Sequence, residues 1–223
     1  MKFKTELHCH SRDGSGCSSE SAEEIVQKYL DRGYSTLCLT NHFLPIWSDD
    51  REEWLKEVNE KHRAYDILKE AAEGTALNVI YGLEFRLKAN YNDYLVFGFT
   101  WDYVEAMDPK DLDDIGRFSQ KVRGDGMYLI QAHPFRYHMT VTNPDLLDAI
   151  EVHNGHAGHE SHNMLAELYA EYHHKAKTSG TDSHDHSHVP NSGIITDFEI
   201  KTVEQLVETL RSGNYTLIKE LDR

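Results

Sequence analysis

The sequence predicts an α/β fold, a single domain over residues 1–223 in which a parallel sheet closes into a barrel with helices outside it. Three observations carry this. Short apolar runs alternate with amphipathic segments along the whole chain, giving about seven βα units. A length of 223 residues suits one barrel and is enough to bury a substantial core. Residues able to do chemistry recur at the C-terminal ends of the apolar runs, the face on which a barrel gathers its catalytic side chains.

The first strand is read from Lys2–Leu7, where apolar and polar residues alternate into His8. Ser21–Gly33 is predicted helical, since its apolar residues recur at helical spacing, its first turn is acidic and a glycine ends it. Thr36–Thr40 is a strand delivering Asn41-His42. The charged run Arg51–Gly74 is the next helix, and Asn78–Leu83 a strand delivering Glu84. Tyr94–Phe99 follows as a buried strand, Pro109–Arg123 as a helix, and Met127–Ala132 as a strand ending in His133-Pro134. Ala149–Val152 leads to His153-Asn154, and the helix Glu160–Lys177 precedes strand Thr178–Thr181 and Asp182. Strand Gly193–Thr196, helix Val203–Arg211 and strand Tyr215–Ile218 close the chain. No internal repeat, low-complexity tract or interdomain linker interrupts this rhythm.

A net charge of −15 argues against a surface for long nucleic acids, whose phosphates call for clustered Lys and Arg. Bound metal ions could still make one local cationic site. No apolar stretch reaches about 18 residues and the N-terminus lacks a signal-peptide pattern, so a cytoplasmic protein without a membrane partner is expected. Cys9, Cys17 and Cys38 are odd in number and lack CxxC spacing, which implies neither a disulfide framework nor a zinc ribbon. Histidine, at 15 residues, is the compositional outlier.

Residues two apart in an extended segment point to the same side, so His8 and His10 present two imidazoles to one ion while Cys9 faces away. Asp182 and His184 repeat that spacing at the end of another strand. Together the pairs predict one metal site, and His42, Glu84 and His133 fall at further strand ends that a barrel would bring to it.

These motifs, in order, resemble the PHP (polymerase and histidinol phosphatase) metallophosphoesterases. The HxH motif followed by Asp-Gly is matched by His8-Cys9-His10-Ser11-Arg12-Asp13-Gly14, and the second motif by Leu39-Thr40-Asn41-His42. Gly82-Leu83-Glu84, Gln131-Ala132-His133-Pro134 and Gly180-Thr181-Asp182-Ser183-His184 are similar to the remaining three. The resemblance implies a distorted (β/α)7 TIM-like barrel, two or three divalent metal ions and hydrolysis of a phosphate ester by a metal-bound hydroxide. Carried over by position, His8, His10, Glu84 and Asp182 hold a first ion, Glu84 bridges to a second with His133, and Asp13, His42 and His184 hold a third. Imidazole and carboxylate suit Zn, Mn or Fe, and paired ions stabilise the attacking and leaving oxygens of an in-line displacement. The residues expected to carry catalysis are His8, His10, Glu84, His133, Asp182 and His184.

Two positions depart from the family pattern. Asn41 stands where an aspartate usually precedes the histidine, and Asn92-Asp93-Tyr94-Leu95 lacks a histidine near the fourth strand, leaving Asp93 or water to fill that place. Asp13, before Gly14, equally suits a turn. His153 reads as pocket lining, whereas His156, His159, His162, His173 and His174 read as a solvated face and His186 and His188 as exposed loop residues.

For substrate, Arg136 follows His133-Pro134 and offers a planar fork to phosphate, with Asn154 at the pocket and Arg12 and Arg86 as further candidates. Trp47, Trp101 and Tyr137 follow strand ends and could stack on a ring or pack the rim. The expected function is a metal-dependent phosphoesterase for a small phosphorylated metabolite, histidinol phosphate-like or nucleotide-like. The alternatives are a noncatalytic metal-stabilised module and a metal-dependent C–N hydrolase.

Overall fold

The computed structural model describes residues 2–44 and 49–220, and Trp47 lies outside them. Strand β1 (Phe3–Cys9) leads to helix α1 (Ala22–Asp31), then β2 (Tyr34–Leu39), β3 (His42–Phe43) and α2 (Arg51–Ala72). Strands β4 (Asn78–Tyr81), β5 (Leu83–Arg86) and β6 (Asp93–Phe97) precede α3 (Trp101–Ala106), α4 (Ile115–Gly124) and β7 (Tyr128–Gln131). The chain ends with β8 (Ala149–Asn154), α5 (Asn163–Tyr172), β9 (Ala176–Gly180), β10 (Ser192–Thr196), α6 (Val203–Ser212) and β11 (Thr216–Lys219). No helix among the described residues is long and apolar enough to cross a membrane.

The expected closed parallel barrel is corrected in one respect and kept in another. The architecture is mixed α/β, but among the described residues the strands fall into two sheets rather than one closed ring: β11-β10-β1-β2-β4 and β3-β5-β6-β7-β8-β9. Pairs β1–β2, β2–β4, β3–β5, β7–β8 and β8–β9 are parallel, whereas β1–β10, β10–β11, β5–β6 and β6–β7 are antiparallel. For β5–β6 the cause is the connection, which is too short for the helical crossover that a parallel pair requires.

Main-chain hydrogen bonds join the two sheets at two seams, and the site lies on them. At one, Asp182 N–H donates to the His8 carbonyl at 2.8 Å and His10 N–H to the Ser183 carbonyl at 3.0 Å. At the other, Gly82 N–H donates to Leu39 O at 2.9 Å and Glu84 N–H to Asn41 O at 3.2 Å. The strand expected over Asn78–Leu83 divides here. A Cβ on Gly82 would lie 2.5 Å from the Phe97 ring, so only glycine lets the chain cross between sheets at this point.

The helices follow local chemistry. Ser21 caps α1 in a reciprocal box with Glu24, each side chain accepting the other's main-chain N–H. The expected helix Pro109–Arg123 breaks where Asp114 caps α4, after a 3₁₀ turn over Pro109–Leu112. The expected helix Glu160–Lys177 is shorter because His174 turns left-handed (φ 52°), which releases Ala176 and Lys177 into β9. Apolar side chains pack between sheets and helices, with Trp54, Phe43, Phe85 and Phe118 fully buried in the largest cluster. Each such side chain contributes about 1.5–3 kcal/mol of burial, a rigid base for the polar seams.

Candidate metal centre

His8 is the last residue but one of β1 and His10 follows the strand, with both rings directed to Glu84 and Asp182. Cys9 points the opposite way, into the apolar layer with Ala22, Ile25 and Tyr29 of α1. The four strands β3, β5, β7 and β9 bring His42, Glu84, His133 and Asp182 to the same place. His133 (φ 29°) and Asp182 (φ 54°) adopt left-handed backbone that costs a non-glycine residue energy, a strain that concentrates at functional sites.

Glu84 is the hub. Its Oε1 lies 3.2 Å from His8 Nε2 and 3.1 Å from His133 Nε2, and its Oε2 lies 2.8 Å from His42 Nδ1 and 3.3 Å from His10 Nε2. Asp182 Oδ1 is 3.4 Å from His8 Nε2 and 3.3 Å from His10 Nε2. Four sets of donor atoms lie close enough to hold a cation here: His8–His10–Asp182, His8–Glu84–His133, His42–Glu84–Asp93 and His10–His42–His184. Despite these distances, His8 Nε2, His10 Nε2, His42 Nδ1 and Glu84 Oε2 are buried without a hydrogen-bond partner among the described residues. Buried polar atoms are rarely left in that state, and converging unpaired atoms fit a cation between them.

The electrostatics agree. Glu84, Asp93, Glu151 and Asp182 are each at most 1% exposed. Burial opposes ionisation of Glu84 and Asp182, yet the facing His42 and His8 hold Glu84, and His8 and His10 hold Asp182, well below the carboxylate range. Burial likewise opposes charge on His42, and Glu84 overrides it, raising the imidazole to about 10. A buried cluster with this density of carboxylate calls for positive charge.

The expected ligands come together with one exception. Asp13 is exposed on the turn after β1 and joins none of these sets; it precedes Gly14, where a Cβ would collide with Asn41. Asn41, in place of the family's aspartate, faces Ser11 rather than the histidines. Its Oδ1 accepts Ser11 N–H at 2.9 Å and its Nδ2 donates to Ser11 Oγ at 3.1 Å. Asp93 reaches His133 Nε2 at 3.9 Å and is gripped bidentately by Arg86 at 2.7 Å.

Arg136 donates through Nη2 to Asp182 Oδ2 at 2.7 Å and Asn154 Oδ1 at 2.8 Å, leaving Nε buried without a partner among the described residues. Asn154 Nδ2 donates to Glu151 and Asp182, so this side chain holds the site together. Arg12 is exposed, Trp101 packs on Tyr81 and Phe99, and Tyr137 lies at the cavity rim. His153 hydrogen-bonds Asn163 and joins no donor set among the described residues.

Two acids went unread in the sequence. Glu151 Oε1 accepts from His8 Nδ1 at 2.9 Å, which leaves the lone pair on Nε2, and Oε2 accepts His133 N–H at 2.9 Å. Glu6 Oε1 accepts the main-chain N–H groups of Leu7, His8 and Thr181, and Oε2 accepts the hydroxyls of Thr181 and Tyr29. Their signal was partial: each is the one acid of its strand, Glu151 between apolar residues and Glu6 in an alternating segment. His156 and His188, read as solvated or exposed, instead line a cavity of about 680 Å³ above the site with Arg86, Arg136, Asp182 and His184.

A profile of the PHP domain matches residues 6–212. The chain belongs to the PHP domain family. Solved structures agree at the level of fold. A two-domain protein from Bacteroides vulgatus containing a predicted PHP-like metal-dependent phosphoesterase aligns with a TM-score of 0.69 and 17% identity. The alignment covers 99% of this chain and 65% of that one. PsfC from Pseudomonas syringae aligns at 0.70 and 15% identity, covering 98% and 92%. A protein from Bifidobacterium adolescentis proposed to be a metal-dependent phosphoesterase aligns at 0.53 and 14% identity, covering 93% and 96%. No curated protein matches the chain.

Proposed function

We propose that this PHP-domain chain is a metal-dependent phosphoesterase acting on a small phosphorylated metabolite. The observation that carries the reading is the set of buried, unpartnered atoms His8 Nε2, His10 Nε2, His42 Nδ1 and Glu84 Oε2, converging within 3.4 Å of one another's carboxylates and imidazoles. His8, His10, Glu84 and Asp182 would hold one ion, Glu84 and His133 with Asp93 a second, and His42 and His184 a third, with Zn, Mn or Fe suited to the donors. When bound, the ions supply an activated water and neutralise charge developing on phosphoryl oxygens.

The chain's own residues do the rest. Glu151 fixes the His8 ring, while Arg136 and Asn154 fix Asp182. The unpartnered Nε of Arg136 is a donor for a phosphoryl oxygen. A cavity of about 680 Å³ admits a metabolite and excludes a folded polyanion.

The test is metal content of protein purified without chelator, followed by phosphate release from a panel of monoesters and diesters with and without added Mn²⁺. Two or three equivalents of metal with release from a panel member are expected. Bound metal without release from any ester would move the assignment to a C–N hydrolase or a noncatalytic module, and no metal affinity would end it.

A further inference from the structure

His156, on the loop after β8, and His188, on the loop after β9, stand with His184 so that one nitrogen from each ring lies within 4.8 Å of the others. By distance alone the trio resembles a metal site. Hydrogen-bond polarity divides it. Gly158 N–H donates to His156 Nδ1 at 3.0 Å, and His184 N–H donates to His188 Nδ1 at 3.0 Å. A main-chain N–H can only donate, so both Nδ1 atoms carry lone pairs and both Nε2 atoms carry the ring protons. His184 has the opposite polarity, since its Nδ1 faces the Asp182 carbonyl at 2.9 Å and the lone pair falls on Nε2.

Resting on the phosphoesterase reading above, we infer that His156 and His188 are N–H donors that, with Arg136, bind the phosphoryl oxygens of the substrate, and that they ligate no metal. Ligation through Nε2 would require breaking two main-chain hydrogen bonds. The supporting geometry ties the donors to the site. Asn154 Oδ1 accepts from Arg136 Nη2 at 2.8 Å and from His156 N–H at 3.2 Å, so one amide oxygen fixes both. Gly155 seats the loop, because a Cβ there would lie 2.1 Å from Asn191 Oδ1. His188 is 5% exposed, and its Nε2 lies 3.5 Å from Asp185 Oδ2, as suits a protonated nitrogen; His156 is the freer donor. All three side chains line the cavity that adjoins Asp182 and His184.

The experiment begins with long-range proton–nitrogen NMR of the imidazoles in metal-loaded wild type. Protons on Nε2 of His156 and His188 and on Nδ1 of His184 are expected; protons on Nδ1 of His156 and His188 would overturn the inference. Inorganic phosphate is then titrated into metal-loaded wild type, His156→Ala and His156→Gln by calorimetry, with metal per chain measured alongside. His156→Ala should weaken phosphate binding about fivefold to tenfold at unchanged metal content, the loss of one neutral hydrogen bond. His156→Gln, which keeps an N–H near the same place, should restore most of it. Loss of a metal equivalent in either variant, or unchanged phosphate affinity in His156→Ala, would overturn the donor role while leaving the phosphoesterase reading intact. A wild type that neither binds phosphate nor hydrolyses any ester would overturn both.

Discussion

Glu151 shows how much of a metal centre lies behind the ligands. Its two oxygens orient His8 and the His133 main chain at 2.9 Å each, without facing the central cluster. Glu151→Gln should therefore weaken metal affinity about 10- to 100-fold while the fold persists, as read by competition with a chromophoric chelator. Affinity equal to wild type would reduce Glu151 to a packing role. Glu6 makes a different prediction. Burial raises it to about 7 from an ordinary 4.5, although Thr181 and the main-chain donors pull it down. The folded chain thus keeps a proton that the unfolded chain has released, so this contribution to stability is complete below pH 4.5 and is lost as pH rises through 7. The loss is about 3 kcal/mol, and urea unfolding across that window should fall less steeply with pH in Glu6→Gln. Equal slopes would mean that Glu6 is ionised throughout. At this scale His8 and His10 were legible because HxH spacing translates directly into strand geometry, whereas Asp182 lies in left-handed backbone beyond β9 and was legible from its motif alone. Glu151 and Glu6 were not, because an acid within a strand gives no sign of its partner until the strands pair.

The elements place these residues through close approaches that only the fold reveals. Gly180 ends β9 against β1, and a Cβ there would lie 2.4 Å from His8 Cβ and 2.6 Å from Glu151 Oε1. Gly180→Ala must push apart the ring and the acid that orients it, so it should cost about 1–3 kcal/mol of stability and most of the metal affinity. Thermal melts with and without metal would check this, and wild-type behaviour in both would contradict the packing. Strand and helix order was legible from periodicity and caps, Ser21 with Glu24 being the clearest case. The division at Gly82, the antiparallel β5–β6 pair and the early end of α5 were not, because each follows from tertiary contact or a left-handed turn with no periodic signature. His156 and His188 were misread for the same reason: two loops distant in sequence close over one cavity.

The whole molecule is two sheets held at seams that run through the candidate ligands, so ion binding and folding are linked. Chelation should lower the melting temperature by about 10 °C, since saturation at about 1,000 times the dissociation constant contributes about 4 kcal/mol. A melt insensitive to chelator and to added metal would separate the seams from any ion. Cys9 adds one consequence. Its thiol and the imidazoles of His8 and His10 occupy opposite faces of one strand, and that strand's register is pinned where Glu6 collects the N–H groups of Leu7, His8 and Thr181. A slip of one residue would carry the thiol into the cluster and both imidazoles into the apolar layer. The result would be a softer donor set that selects different metals, so a main-chain alignment behind the ligands dictates the inorganic chemistry this site can host.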